Sequence, residues 1–381
     1  MMTVSGKKSV AVLGIRGLPA AHGGFETFAE HLVPKLVEDG WDVTVYCQET
    51  GTGPVSSSQY KGATLVHIPV KKDTPLGTII FDLKSTLHAC KHHNLLLTLG
   101  YNTGFLAAYC RFKGVYNVIN MDGIEWRRSK WSLPVRWWFY INERIACIMG
   151  NHLIADHPKI QAHLETRVTS EKITMIPYGA NSVREAKVHH IERLGLEAGN
   201  YFVVIARIEP ENSILTIVEA FSAKNRGYQL VVLGNLFPDS SAYHAKVKQA
   251  ASDEVIFPGA IYDAEVVSAL RFFSRCYIHG HTVGGTNPSL VEALGAGCAV
   301  LAHNNQYNRW VTNEQMMYFD NVSDCAVQME RLIENDALTL DLKNTAMEVH
   351  QRYFNWAPVL QAYEQLLNDH RQGLVGDEKT V

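Results

Sequence analysis

Val10-Ala-Val-Leu13-Gly14-Ile-Arg16-Gly17-Leu-Pro-Ala-Ala-His22-Gly23-Gly24-Phe25-Glu26-Thr27-Phe28 is the stretch from which the fold follows. A short apolar run feeds a loop with two adjacent glycines, and a helix-period segment comes next. Phe25, Phe28, Leu32 and Leu36 recur every three or four residues, with Glu30, Lys35 and Glu38 on other faces. That is the pattern of a helix burying one side. Pro34 lies inside it, and a kink or break is expected there, because proline lacks the N–H that the helix uses. The loop matches neither GxGxxG nor the P-loop. Its glycines still let backbone approach a ligand closely, and the helix start offers N–H groups and a positive dipole end. Phosphate suits such a turn; glycines serving turn geometry alone are the plainer reading.

The alternation repeats along the chain. Apolar runs occupy 10–13, 43–47, 65–70, 95–97, 115–119, 153–155 and 173–176, and a second series occupies 201–206, 230–233, 255–257, 276–278, 298–302 and 316–319. Most are rich in Val, Ile and Leu and few alternate cleanly, as befits strands buried on both faces of a parallel sheet. Helical periodicity fills spaces such as 214–221, 264–272 and 290–294. Thirteen strands crowd one open sheet but divide naturally into two sheets of six or seven. The fold class is therefore α/β with two doubly wound domains. The polar stretch 181–199 separates the two series.

Composition excludes several alternatives. Across 381 residues, 35 Lys plus Arg balance 38 Asp plus Glu, a net charge of -3. A dedicated nucleic-acid binder is expected to be clearly basic, so no nucleic-acid partner is expected. The seven cysteines are scattered without a CxxC pair and read as reduced core residues of a cytoplasmic protein. The polar N-terminus leads straight into a strand, which is not a signal peptide, and no apolar run approaches the 18 residues of a membrane span.

Four further segments carry chemistry. Ala206-Arg207-Ile-Glu209-Pro210-Glu211-Asn212 begins where a strand ends. Arg207 there suits a diphosphate through its planar fork of donors; a surface ion pair with Glu209 or Glu211 is the alternative. Gly284-Gly285-Thr286-Asn287-Pro288-Ser289-Leu290-Val-Glu292 is a second glycine loop entering a helix at Pro288. Glu292, one turn in, suits the paired hydroxyls of a ribose or simply faces solvent. Asp122, in Asn120-Met-Asp122-Gly123-Ile-Glu125-Trp126, suits a base, an acceptor of a sugar hydroxyl's hydrogen bond, or a helix cap. Finally, residues 126–140 hold four of the seven tryptophans and four basic residues without an acid. Trp126, Arg127, Arg128, Lys130, Trp131 and Arg136 thus suit an anionic bilayer, or a helix with buried tryptophans and snorkelling arginines. Trp137 and Trp138 point different ways on a helix, and at least one is expected to be buried. His279 and His281 lack neighbouring ligands, and no metal site is assigned.

Together, the Gly14–Phe28 loop, the Asp122-Gly-Ile-Glu-Trp126 box, Ala206–Asn212 and Gly284–Glu292 resemble glycosyltransferase family 4, in the branch of bacterial rhamnosyltransferases of capsule and O-antigen synthesis. The resemblance implies a GT-B fold, with two Rossmann-like domains facing across a cleft. With the boundary read from the polar stretch, it gives an acceptor-side domain at 1–182, a nucleotide-sugar domain at 183–350 and a returning helix at 351–372; the terminal residues 373–381 themselves read as a disordered tail. It implies donor contacts at Gly23, Gly24, Arg207, Asn212, Thr286, Asn287, Pro288, Ser289, Leu290 and Glu292. The acceptor side holds Arg16, Glu26 and Asp122, with Arg207 and Asp122 catalytic and no metal or other cofactor required. Two departures stand out: Asn212 replaces a frequent lysine, and Gly284 replaces a glutamate that holds donor-sugar hydroxyls.

The expected activity is retaining transfer of a sugar, such as rhamnose, to a lipid-linked or nascent polysaccharide. The expected setting is the cytoplasm, with peripheral contact to the inner membrane face. A nucleotide-sugar epimerase or hydrolase on the same fold is the alternative. An NAD-dependent oxidoreductase is disfavoured, because GxGxxG is missing and the second strand closes on Cys47-Gln48 rather than an acidic residue.

Overall fold

A computed structural model describes residues 8–21, 23–72 and 74–377; residues 1–7, His22, Asp73 and residues 378–381 lie outside them. The chain divides after Pro177 and again after Asn355. Tyr178–Asn355 forms one unit, called unit 2, and the flanking segments together form unit 1.

In unit 1, β1 (Ser9–Leu13), β2 (Asp42–Thr50), β3 (Ser56–Tyr60), β4 (Ala63–Val70), β5 (Leu95–Leu99), β6 (Tyr116–Asn120), β7 (His152–Ala155) and β8 (Ile173–Met175) form one sheet. Its order is β3-β4-β2-β1-β5-β6-β7-β8, parallel except where β3 pairs antiparallel with β4. The order reverses between β1 and β5, which makes that edge the topological switch point. Helices α1 (Gly24–Glu38), α2 (Pro75–His92), α3 (Leu106–Phe112) and α4 (Leu133–Met149) supply crossovers. Helix α1 is not broken at Pro34. Leu32 and Val33 before it and Leu36 after it are fully buried, so packing on the sheet overrides the missing hydrogen bond.

Unit 2 carries β9 (Tyr201–Ile205), β10 (Gln229–Leu233), β11 (Val255–Gly259), β12 (Cys276–His279), β13 (Val300–His303) and β14 (Met317–Phe319). Their order, β11-β10-β9-β12-β13-β14, places the reversal between β9 and β12. Alternate residues enter different cores: Phe202 and Val204 pack with Ile217 and Ile278, while Tyr201 and Val203 pack with Val231 and Tyr277. Both faces are buried, which is why these strands read as unbroken apolar runs.

The boundaries expected at 182 and 350 each move by five residues. Ala180 N–H donates to Phe354 O, Val183 N–H donates to Gly295 O, and His350 Nε2 lies 2.9 Å from Ala180 O. These bonds hold 178–183 to unit 2, and the helix Asp336–Tyr353 runs unbroken past 350. The final helix, Trp356–Asp377, packs within unit 1: Tyr363 lies against Phe28, and Glu364 takes hydrogen bonds from Lys8 and Trp41. It also continues through 373–377, where a disordered tail was expected, because buried Tyr363 and Leu367 dock its preceding turns. Residues 378–381 of that tail lie outside the described residues.

Candidate active site

The C-terminal strand ends of unit 2 bring its expected residues together at the β9/β12 switch point. Arg207 follows β9 with its side chain 63% exposed and paired to Glu209 at 3.3 Å. Gly280 follows β12 and touches the other loop: a Cβ there would meet Asn212 O at 2.1 Å. Thr282 donates both its N–H and its hydroxyl to Glu211 O, joining the loops. Asn212 is buried and donates its amide to Arg207 O at 2.7 Å. It braces the loop from beneath and presents no open surface to a donor, contrary to the expectation.

The helix Pro288–Gly295 begins beside these loops with Asn287 as its cap. Ser289 N–H donates to Asn287 Oδ1 and Leu290 N–H to Asn287 O. The helix start therefore offers an anion its dipole rather than these N–H groups. Thr286 and Leu290 are buried. Ser289 is committed inward, its hydroxyl within 2.8 Å of the Tyr277 hydroxyl. Glu292 is one-third exposed and takes a 2.5 Å bond from Arg271. Arg271 also donates to Ser289 at 3.2 Å and is itself buried. Sequence reading missed Arg271 because the helix Ala264–Phe272 that carries it lies some twenty residues away. Its effect is to fix the Glu292 carboxylate.

In unit 1, Gly14 leaves β1 with φ +86°, and a Cβ there would meet Leu99 O at 2.1 Å. Glu26 Oε1 accepts from Arg16 N–H at 3.1 Å, so Glu26 closes the glycine loop over the exposed Gly23 turn, with Gly24 next to it. Asp122 follows β6 at φ +51°, a left-handed conformation rare for a residue with a side chain. Such strain gathers at functional sites. It is held there by a relay: Tyr363 OH accepts from Asn120 Nδ2 at 2.7 Å, and Asn120 Oδ1 accepts from Asp122 N–H at 3.0 Å. Tyr101 OH donates to Gly123 O and accepts from Glu125 N–H. Asp122 is exposed to solvent at the end of this turn. The protein packed around its carboxyl, which thins the water shell, and then the Glu125 carboxylate raise its pKa to about 6. It caps no helix, since Ile124 begins the next turn.

The aromatic segment differs from expectation. Of its six named residues only Arg127 and Lys130 are exposed. Trp126 donates to Glu143, Arg128 pairs with Glu125, Trp131 donates to Glu125 and Arg136 donates to Trp126 O. Neither Trp137 nor Trp138 is buried, at 63% and 39% exposure. Among the described residues there is no cluster of three or more His, Cys, Asp or Glu placed to hold a metal, and no helix long and apolar enough to cross a membrane.

Solved structures share this architecture. Sucrose-phosphate synthase from Thermosynechococcus elongatus aligns at TM-score 0.79 and 18% identity, covering 97% of this chain and 100% of that one. Anabaena HepE, in complex with UDP-glucose, aligns at 0.74 and 14%, covering 95% and 99%. An alpha,alpha-trehalose-phosphate synthase (UDP-forming) from Burkholderia xenovorans, in complex with glucose-6-phosphate, aligns at 0.69 and 9%, covering 95% and 100%. No curated protein sequence matches the chain. Two doubly wound parallel-sheet units and these likenesses define the GT-B class of fold. Residues 189–349 match the family model for glycosyl transferases group 1, and residues 7–181 match a domain of unknown function, DUF1972. The chain thus carries a group 1 glycosyl transferase domain and is a glycosyltransferase.

Proposed function

We propose that the protein moves a glycosyl residue from a nucleoside-diphosphate sugar to a hydroxyl of a lipid-linked or nascent surface polysaccharide, with retention at the anomeric carbon. The observation that carries this reading is the unit 2 switch point, where exposed Arg207 and a carboxylate pinned by Arg271 share one sheet edge. Arg207 and the helix dipole answer the diphosphate. Glu292 accepts from the ribose hydroxyls. HepE was solved with UDP-glucose, so UDP-sugars are the first donors to try. Gly284, where the broader family has a carboxylate, favours a deoxysugar such as rhamnose.

On the acceptor side, Asp122 accepts a hydrogen bond from the attacking hydroxyl and aims it. The bond from anomeric carbon to phosphate oxygen breaks as the acceptor oxygen bonds the same face. The hydroxyl proton passes to the departing phosphate. No protein nucleophile and no metal enter the scheme. A thermal-shift panel of UDP-, dTDP- and GDP-sugars identifies the donor, since a ligand of the native state raises its melting temperature. Incubation with acceptor and EDTA is then expected to yield glycoside and one nucleoside diphosphate per turnover. Epimer or free sugar formed without acceptor would favour the epimerase or hydrolase reading, and inactivation by EDTA would end the metal-free scheme.

The reading extends to the anionic inner face of the membrane, with a different contact surface from the one expected. Leu133, Trp137, Ile141 and Ile148 are all exposed at helical spacing along α4, with Arg127 and Lys130 nearby in sequence. An apolar stripe beside cations suits a bilayer interface. Wild-type protein is expected to sediment with phosphatidylglycerol vesicles. Combined Trp137→Ser and Ile141→Ser is expected to weaken this roughly tenfold; equal sedimentation would remove the membrane contact.

A further inference from the structure

Unit 1 contains a cavity of about 680 Å³ that the scheme above leaves empty of purpose. Its lining begins at Gly14, Arg16 and Gly100 on the switch-point edge and reaches Leu96 and Ile119 of the sheet. Phe81 of α2 and Ala107 of α3 wall it, and Trp131 and Trp138 close another side. Protein interiors are normally packed without such voids, whereas small-molecule sites are apolar recesses of this size with a few placed polar groups.

The polar groups here are zoned. Arg16, Asn102 and Thr103 come from the strand-end loops, Glu26 from the start of α1, and Thr78 and Asp82 from the N-terminal half of α2, while α3 and much of the sheet contribute apolar side chains. Deeper, Thr98 donates to Asn117 Oδ1, so that pair satisfies itself. Asp82 does not: its Oδ2 accepts from Thr103 Oγ1 at 2.9 Å, and Oδ1 has no partner among the described residues. Burial, eased by the Thr103 hydrogen bond, pushes its pKa up to about 6. Asp82 is half-buried, and its second oxygen is left for water or for a ligand hydroxyl that enters the chamber.

We propose that this cavity is a subsite for an amphipathic acceptor, whose hydroxylated head hydrogen-bonds Asp82 and Thr103 at the collar and whose single hydrocarbon chain fills the chamber between the sheet and α3. The assignment rests on unit 1 handling the acceptor.

The probe is a series of n-alkyl β-glucosides, methyl to nonyl, each below its micelle concentration. They are titrated without donor and read by tryptophan fluorescence, because Trp131 and Trp138 line the chamber. Affinity is expected to rise about fourfold per added methylene until the chamber is full. Filling it by Ala107→Phe should flatten the slope to below twofold per methylene while methyl glucoside binds as before. Ile79→Trp, on a half-buried wall, serves the same purpose should the first variant fail to fold, folding being checked by circular dichroism. Asp82→Asn should weaken every member about tenfold and leave the slope alone, since it exchanges a charged acceptor for a neutral one. A flat series in wild type, an unchanged slope in a folded blocked variant, or unchanged affinities in Asp82→Asn would each overturn the proposal. Because no donor is present, failure of sugar transfer leaves this titration readable, and successful transfer does not rescue a flat series.

Discussion

Arg207→Ala is expected to lower kcat about 100- to 1,000-fold while leaving the melting temperature almost unchanged. The two halves of that expectation come from different physics. In the folded protein the side chain is 63% exposed, and its ion pair with Glu209 spans 3.3 Å at the surface; such pairs contribute ~0–1 kcal/mol. Removing it therefore costs little stability. In the reaction, negative charge grows on the leaving diphosphate, and a placed donor there is worth about 3–4 kcal/mol of barrier. Asn212 is uncharged and buried under the loop, so it offers no replacement cation. Lysine at 207 should recover part of the loss, since it keeps the charge and gives up the planar fork. Turnover near wild type in Arg207→Ala would remove the electrostatic role.

Asp122→Asn is the second large effect, a fall of about 10- to 100-fold in kcat, the worth of a charge-assisted hydrogen bond. It carries a pH signature. Partial desolvation and Glu125 raise the carboxyl's pKa to about 6. Only the ionised form accepts strongly from the acceptor hydroxyl, so wild-type turnover should drop as pH falls through 6. The asparagine variant has no such group, and its residual rate should be flat across that range. An acid limb that survives in Asp122→Asn would assign the titration to another residue. Tyr363→Phe offers a companion measurement, because Tyr363 supports Asn120, which in turn holds the Asp122 backbone.

The strands were legible wherever burial on both faces left a continuous apolar run. β3 was not, because Ser56-Ser-Ser-Gln59 is exposed and polar, and only the half-buried Tyr60 at its end marks this edge strand. Its signal lay in the turn: Lys61 and Gly62 both adopt positive φ, the two-residue hairpin geometry that favours glycine. The glycine loops and the residues at strand ends were legible because a switch point needs small, polar residues close in sequence. Their wiring was not. Arg271 meets Glu292, and Asn120 meets Tyr363, only through tertiary packing. Asp82 sits between Phe81 and Leu83 like any helix residue, and only the neighbouring Thr103 loop reveals that it faces a void. The aromatic segment misled for a related reason: composition reports how many tryptophans and arginines there are, not which of them Glu125 and Glu143 capture.

Unit 1 is split in the primary chain, its last helix encoded after the whole of unit 2. During synthesis, Phe28, Trp41 and Asn120 must wait for Trp356, Glu364 and Tyr363 to leave the ribosome before they find their partners. The later-encoded half is therefore the one that can mature first, and a nascent chain stalled before residue 356 would carry a finished second half beside an unsealed first.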